Sequence, residues 1–294
     1  LIEACLATAI IATLPSTAIA QSTFIEEIGA SERINYSGKL RMLSQRIPAA
    51  ACYANAGIQT EKSAPMLAAA TAEFDLIING LEFGEDSLGI KGEETDRKVL
   101  IDVAKVNEVW DPLHADILQI IDNGNSDDAV RHLADVSAPL LANAKALVSV
   151  LVGEYSDPTA LLQSDAMTID IAGRQRMLAQ RMSKNVCLAS SGVNPDLAKT
   201  ELAAAREMYQ ASVNALRYGL PTAGINAPTD AGVVAALDKV LETWDGIQPA
   251  LDSVMAGETL DDATMGEVFL TMNSLTGQMN TLVGTYNDLS KLGL

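Results

Sequence analysis

Histidine and cysteine are scarce in this chain, two and three among 294 residues. His114 and His132 stand at no ligand spacing from each other or from a carboxylate, and no Glu-x-x-His pair occurs, so zinc and di-iron centres have no ligand set. Cys-x-x-Cys-His, a glycine-rich phosphate loop and a nucleophile elbow are also missing, which leaves no reactive constellation for an enzyme. No cofactor and no metal is expected, and Met42, Met66, Met177 and Met182 are read as core filler. Basic residues are few, 20 Lys and Arg against 38 Asp and Glu for a net −18. Nucleic acids and anionic membranes need a basic footprint, so both are poor partners for it. Aromatics make up only 4%, and with few β-branched runs this points to an all-α protein.

Residues 4–20, ACLATAIIATLPSTAIA, are apolar and end in Ala18-Ile19-Ala20, a signal-peptidase pattern that places a leader at 1–20 and a mature start at Gln21. A membrane anchor is the alternative, but Pro15 interrupts the run and it is short for a span of about 20 residues. Glu3 argues against a lipoprotein at Cys5. Losing the leader removes only Glu3 and moves the charge from −18 to −17. No other window is expected to approach that length without charges, so the mature chain should be soluble, periplasmic and without a membrane span.

What the chain does have is a repeat. INYSGKLRMLSQR at 34–46 returns as IDIAGRQRMLAQR at 169–181, an offset of 135. Gly38, Arg41, Gln45 and Arg46 thereby match Gly173, Arg176, Gln180 and Arg181, and Cys52 matches Cys187. Leu81, Phe83 and Gly84 match Leu216, Tyr218 and Gly219; Trp110 matches Trp244; Tyr155 matches Tyr286. The repeat therefore spans whole domains, and we divide the chain into 21–157 and 158–294.

Each copy reads as four helices. In the first, a motif helix over 24–57 is kinked or shortened by Pro48. A second helix runs from Ser63 to about Phe83, and a third from about Glu93 to Asp122. The fourth runs from a Ser126 cap to Tyr155. In the second, Asp157-Pro158 opens the motif helix to Gly192, and Asn194-Pro195 opens the next, to Tyr218. Thr229 or Asp230 opens the third, and Thr259 with Asp261 and Asp262 caps the fourth. The expected architecture is two tandem up-down four-helix bundles packed as an intramolecular pseudo-dimer, with the motif helices parallel. The short connection at 156–159 leaves them little freedom to separate.

Gly38, Arg41 and Gln45 fall on one helical stripe, as do Gly173, Arg176 and Gln180. Glycine lets a partner helix or ligand come close, and arginine pairs bidentately with planar oxyanions. Two such stripes meeting across an interface would bring Arg41 and Arg176 together, which is costly unless an anion lies between them. Arg46 and Arg181 lie about 140° around the helix and are assigned to ion pairs within each bundle. A single mid-helix arginine in an acidic protein more often serves an ion pair than a ligand, and duplication copies structural residues as faithfully as functional ones. Cys52 and Cys187 share the arginine face about 16 Å further along. They are placed to close a disulfide or to act as small buried apolar residues.

The two motif segments resemble the signature of the type IV pili methyl-accepting chemotaxis transducer N-terminal (PilJ-type) domain, itself similar to the periplasmic sensor of nitrate/nitrite sensor kinases. AGRQRMLAQRMSK matches most closely; the first copy departs at Ser37, Lys39 and Pro48. The resemblance implies a periplasmic four-helix sensor in which nitrate lies between equivalent arginines, carried here by Gly38 with Arg41 and Gly173 with Arg176. It also implies a following transmembrane helix and signalling module. None is found before Leu294, so signalling through a separate membrane-bound partner is expected. The alternative is a structural or interaction module of the cell envelope that binds no ligand.

Overall fold

A computed structural model describes residues 28–123, 126–155 and 163–292. The leader assigned to 1–20, the Asp157-Pro158 opening and the domain boundary lie outside these residues. Among the described residues the first copy comprises α1 (Ala30–Asn55), α2 (Thr60–Phe83), α3 (Arg97–Trp110), α4 (Leu113–Asn123) and α5 (Asp127–Tyr155). The second comprises α6 (Gln163–Ser190), α7 (Pro195–Tyr218), α8 (Ala231–Met255) and α9 (Asp262–Leu292). The chain is all-α. In each copy the motif helix packs against the second and fourth helices, and the third closes the ring between them, as an up-down bundle requires.

The same packing unit recurs in each bundle. Phe74 stacks on Trp110 at 4.0 Å between centroids, and Tyr209 lies 4.5 Å from Trp244. Both indoles are buried and keep a polar partner, Trp110 Nε1 donating to Asp75 at 2.7 Å and Trp244 Nε1 to Gln210. A buried indole N–H left unpaired would offset part of what its burial contributes. His114 also meets Asp75, at 2.9 Å, and His132 meets Asp116. Met42, Met177 and Met182 are buried in the core, with Met66 packed on it.

Prolines act differently from the expectation. Pro48 neither ends nor shortens α1, which continues to Asn55. A proline at 48 leaves the carbonyl of residue 44 without its helical donor, and here Gln45 Nε2 donates to Ser44 O at 3.2 Å. Conversely, the third helix of copy 1 does not run unbroken to Asp122: α3 stops at Trp110 and α4 begins at Leu113. Pro112 lies in the break, and its matching residue, Gly246, sits inside an unbroken α8. That helix also starts at Arg97, not Glu93, because Asp96 is its cap, accepting from Lys98 N at 2.7 Å. Likewise α2 starts at Thr60, and Ser63 sits inside it, donating to Ile58 O.

The 84–96 connection is held by an element the repeat does not predict. Arg33 is 1% exposed and donates to Leu81 O (2.7 Å), Gly92 O (2.7 Å), Ile28 O (3.1 Å) and Glu94 (3.2 Å). Glu94 also accepts from Tyr155 Oη at 2.6 Å and from the amides of Thr95 and Asp96. A buried ion pair tolerates desolvation only when its remaining donors and acceptors are filled, as these are. The close approach needs Gly29, at φ +66°, because a Cβ there would lie 2.2 Å from Gly89 O. At the position of Arg33 the second copy has Thr168, so this clamp belongs to one bundle.

Helix α5 is apolar as well, although Asp135 and Lys145 interrupt it and its longest run without charge is 136–144. It has the length and hydropathy of a membrane span, with a mean of 1.6 and 33% of its most apolar window buried. Its buried residues, among them Val130, Leu133, Leu140, Ala144, Leu147 and Leu151, belong to the core of the first bundle. A core helix flanked by small apolar residues passes the same test of length and composition.

Candidate functional site

The bundles meet through α1 and α6. Arg41 reaches Asp170 of α6 at 3.3 Å, and further along both helices Cys52 and Cys187 form a disulfide with Cα atoms 6.1 Å apart. Contacts advance in the same sense along both helices, so the two run parallel. Tyr53 extends the seam with a ring contact to Phe269 at 4.9 Å.

Each arginine of the stripe lies back over the glycine three residues before it. Arg41 Nε points to Gly38 O at 3.5 Å and Arg176 Nε to Gly173 O at 3.3 Å. A Cβ at Gly38 or Gly173 would sit 3.6 or 3.5 Å from the arginine Nη2 of its own helix. The small residue thus gives the guanidinium a bed on its own helix, where the sequence suggested space for a neighbour. Beyond that bed the copies differ. Arg41, its side chain 14% exposed, takes a carboxylate from the other copy, Asp170, which also holds Arg174. Among the described residues Arg176, 7% exposed, donates only to neutral oxygens, Gly173 O and Asn280 Oδ1 at 2.7 Å. Burial, reinforced by the charges of Arg41 and Arg46 and opposed by Glu73, lowers its pKa to about 10. A guanidinium so far below its ordinary range marks a place where cations have been brought together out of water.

The two glutamines turn away from this seam. Gln45 reaches Ser44 O and, in α5, Ser137 O at 3.1 Å; Gln180 reaches Asn273 and Thr276 of α9 at 3.0 and 2.7 Å. Each ties its motif helix to the fourth helix of its own bundle. Arg181 pairs with Glu201 at 3.4 Å, inside its own bundle as assigned. Arg46 has no ion pair within 4 Å among the described residues, and its buried Nε lacks a hydrogen-bond partner. Burial holds its pKa down against the pull of Glu73. Its charge is felt at Arg176, where it adds to the effect of burial in lowering that pKa.

Sequence reasoning missed Asp170, Asn280, Lys145, Lys184 and Glu201. Asp170 lies inside the second motif segment and was legible as an acidic neighbour of Arg174 on the helix. Lys184 lies on the motif helix itself, and Asn280, Lys145 and Glu201 come from helices whose rotation only packing fixes. Among the described residues no three His, Cys, Asp or Glu side chains gather as a metal-ligand set.

The family model for the type IV pili methyl-accepting chemotaxis transducer N-term domain, PilJ, matches residues 26–136 and again residues 159–264. No curated protein matches the chain. The two matched segments contain the two motif helices that form the seam, and together they cover most of the sequence. The chain belongs to this transducer N-terminal family and carries its domain twice.

Proposed function

We propose that this chain is a soluble periplasmic sensor-type binding protein for a small planar oxyanion, nitrate- or nitrite-like. Arg41 and Arg176, on their glycine beds, hold the anion between the motif helices, and a separate membrane-bound partner reads its presence. The observation that carries this reading is Arg176. It is a buried guanidinium with only neutral acceptors among the described residues, near two further arginines, in a chain of net charge −18. An anion there would neutralise clustered cations and supply the charged acceptor that Arg176 lacks. The apolar stretch 4–20 and the disulfide both suit an exported protein. The role is binding and not catalysis, in keeping with a sensory domain family.

Calorimetric titration with nitrate, nitrite and small carboxylates tests this. Nitrate heat is expected from the wild type and not from the variant carrying Arg41→Ala with Arg176→Ala. Heat from none of the anions, or equal heat from both proteins, overturns the reading. One observation favours a second reading, a protein-interaction module of the envelope: Arg41 already holds the Asp170 carboxylate across the seam. On that reading the double substitution lowers stability and changes no ligand response.

A further inference from the structure

A second concentration of positive charge lies to one side of the seam, in a cleft of about 180 Å³ between α5 of the first bundle and α6 and α7 of the second. Its polar walls are Gln45, Lys145, Arg181, Lys184 and Glu201, and its apolar wall is Ala138, Leu141 and Ala142. Three cations face one carboxylate. Lys184 is 2% exposed and crosses between bundles, donating to Ser137 Oγ at 2.8 Å and Glu201 at 3.1 Å. Glu201 is shared with Arg181 at 3.4 Å and with Asn185 Nδ2 at 3.3 Å. One carboxylate is thus divided between two cations, and the buried Nε of Arg181 has no hydrogen-bond partner. Across the cleft, the Lys145 ammonium makes no ion pair among the described residues. Burial, then the charges of Arg181, Arg174 and Arg41, depress its pKa.

This arrangement is not inherited packing. At the motif offset the first copy has Ala49 where the second has Lys184, and Met66 where it has Glu201. The bundle therefore forms with or without the pair. A net charge of +2 on opposed walls of a cleft, in a protein of net −18, is matched by a ligand carrying two negative charges. The volume equals roughly six waters at about 30 Å³ each, more room than nitrate requires. The apolar wall suits a short hydrocarbon link between the two charges.

We infer that this cleft is a second anion site, separate from the arginine stripe, that takes a small organic dicarboxylate with one carboxylate at Lys145 and the other at Arg181. It does not rest on the nitrate reading.

Succinate is the probe, titrated by calorimetry into the wild type and into Lys145→Ala, with nitrate run in parallel. Lys145 is an exposed residue of α5, so its truncation leaves the fold intact, which a thermal melt checks. Succinate is expected to bind the wild type and to bind Lys145→Ala about tenfold more weakly, a loss of about 1.4 kcal/mol. The nitrate response should be the same in both. A second variant, Arg181→Gln, keeps the hydrogen-bonding shape without the charge and should weaken succinate as well. No succinate binding, or equal binding by wild type and both variants, overturns the proposal. Absence of nitrate binding by the wild type with succinate binding intact would refute the seam reading alone, and a nitrate response altered by Lys145→Ala would overturn the separation of the two sites.

Discussion

Removing the Cys52–Cys187 bond should be the most damaging small change to this molecule that leaves its ligand groups untouched. The bond closes a loop of 135 residues. Restricting an unfolded chain over that length contributes about 5 kcal/mol in the chain-entropy model, of which native disulfides commonly deliver about 2–5. Both cysteines are essentially buried, 1% and 0% exposed, in the shared core. Alanine at both positions therefore removes the crosslink and two sulfurs, while two serines would add the cost of burying hydroxyls. The clean perturbation is Cys52→Ala with Cys187→Ala, compared by urea titration followed by circular dichroism. At a slope of about 3 kcal/mol per molar urea, a loss near 5 kcal/mol lowers the midpoint by about 1.5 M. The unreduced, denatured protein should show no free thiol from these residues. A midpoint unchanged within about 0.3 M would refute the argument that the seam depends on the crosslink. Two free thiols would refute the pairing itself.

Two further outcomes concern the polar groups that hold the motif helices. Arg33→Ala leaves Glu94 buried without its cation, and equilibrium unfolding should record a loss of about 3–5 kcal/mol. Arg33→Met combined with Glu94→Gln should lose clearly less; an equal loss would contradict an ion-pair origin. Pro48→Ser should restore a helical donor to the Ser44 carbonyl and gain about 1 kcal/mol. Gln45→Ala should then cost less in that background than in the wild type, and a double-mutant cycle with no coupling would show that Gln45 does not compensate for the proline.

The sequence by itself determined the class of the elements and most of their order, the break at Pro112 excepted. Helical spacing, the Asp230 and Asp261 caps, which accept from Val233 N and Thr264 N, and Pro195 at a helix start are local features of the chain. The repeat offset also determined which residues correspond, because duplication preserves positions. What it left undecided was how equivalent residues would be used. Gly38 and Gly173 bed their own arginines, a fact of side-chain direction that spacing along one helix does not contain. Arg41 found Asp170 while Arg176 found Asn280, since the partner depends on which helix faces each arginine after packing. Two prolines of the same chemistry, Pro48 and Pro112, had opposite effects. Gln45 bonds the Ser44 carbonyl beside Pro48, whereas α3 and α4 separate at Pro112. The Arg33–Glu94 clamp joins residues far apart in the chain, and the cleft sets Arg181 and Lys184 of the motif helix beside Lys145 and Glu201 of other helices. Charges of like sign come together only where a seam excludes water and fixes the helices against one another, and that is a property of the folded pair of bundles.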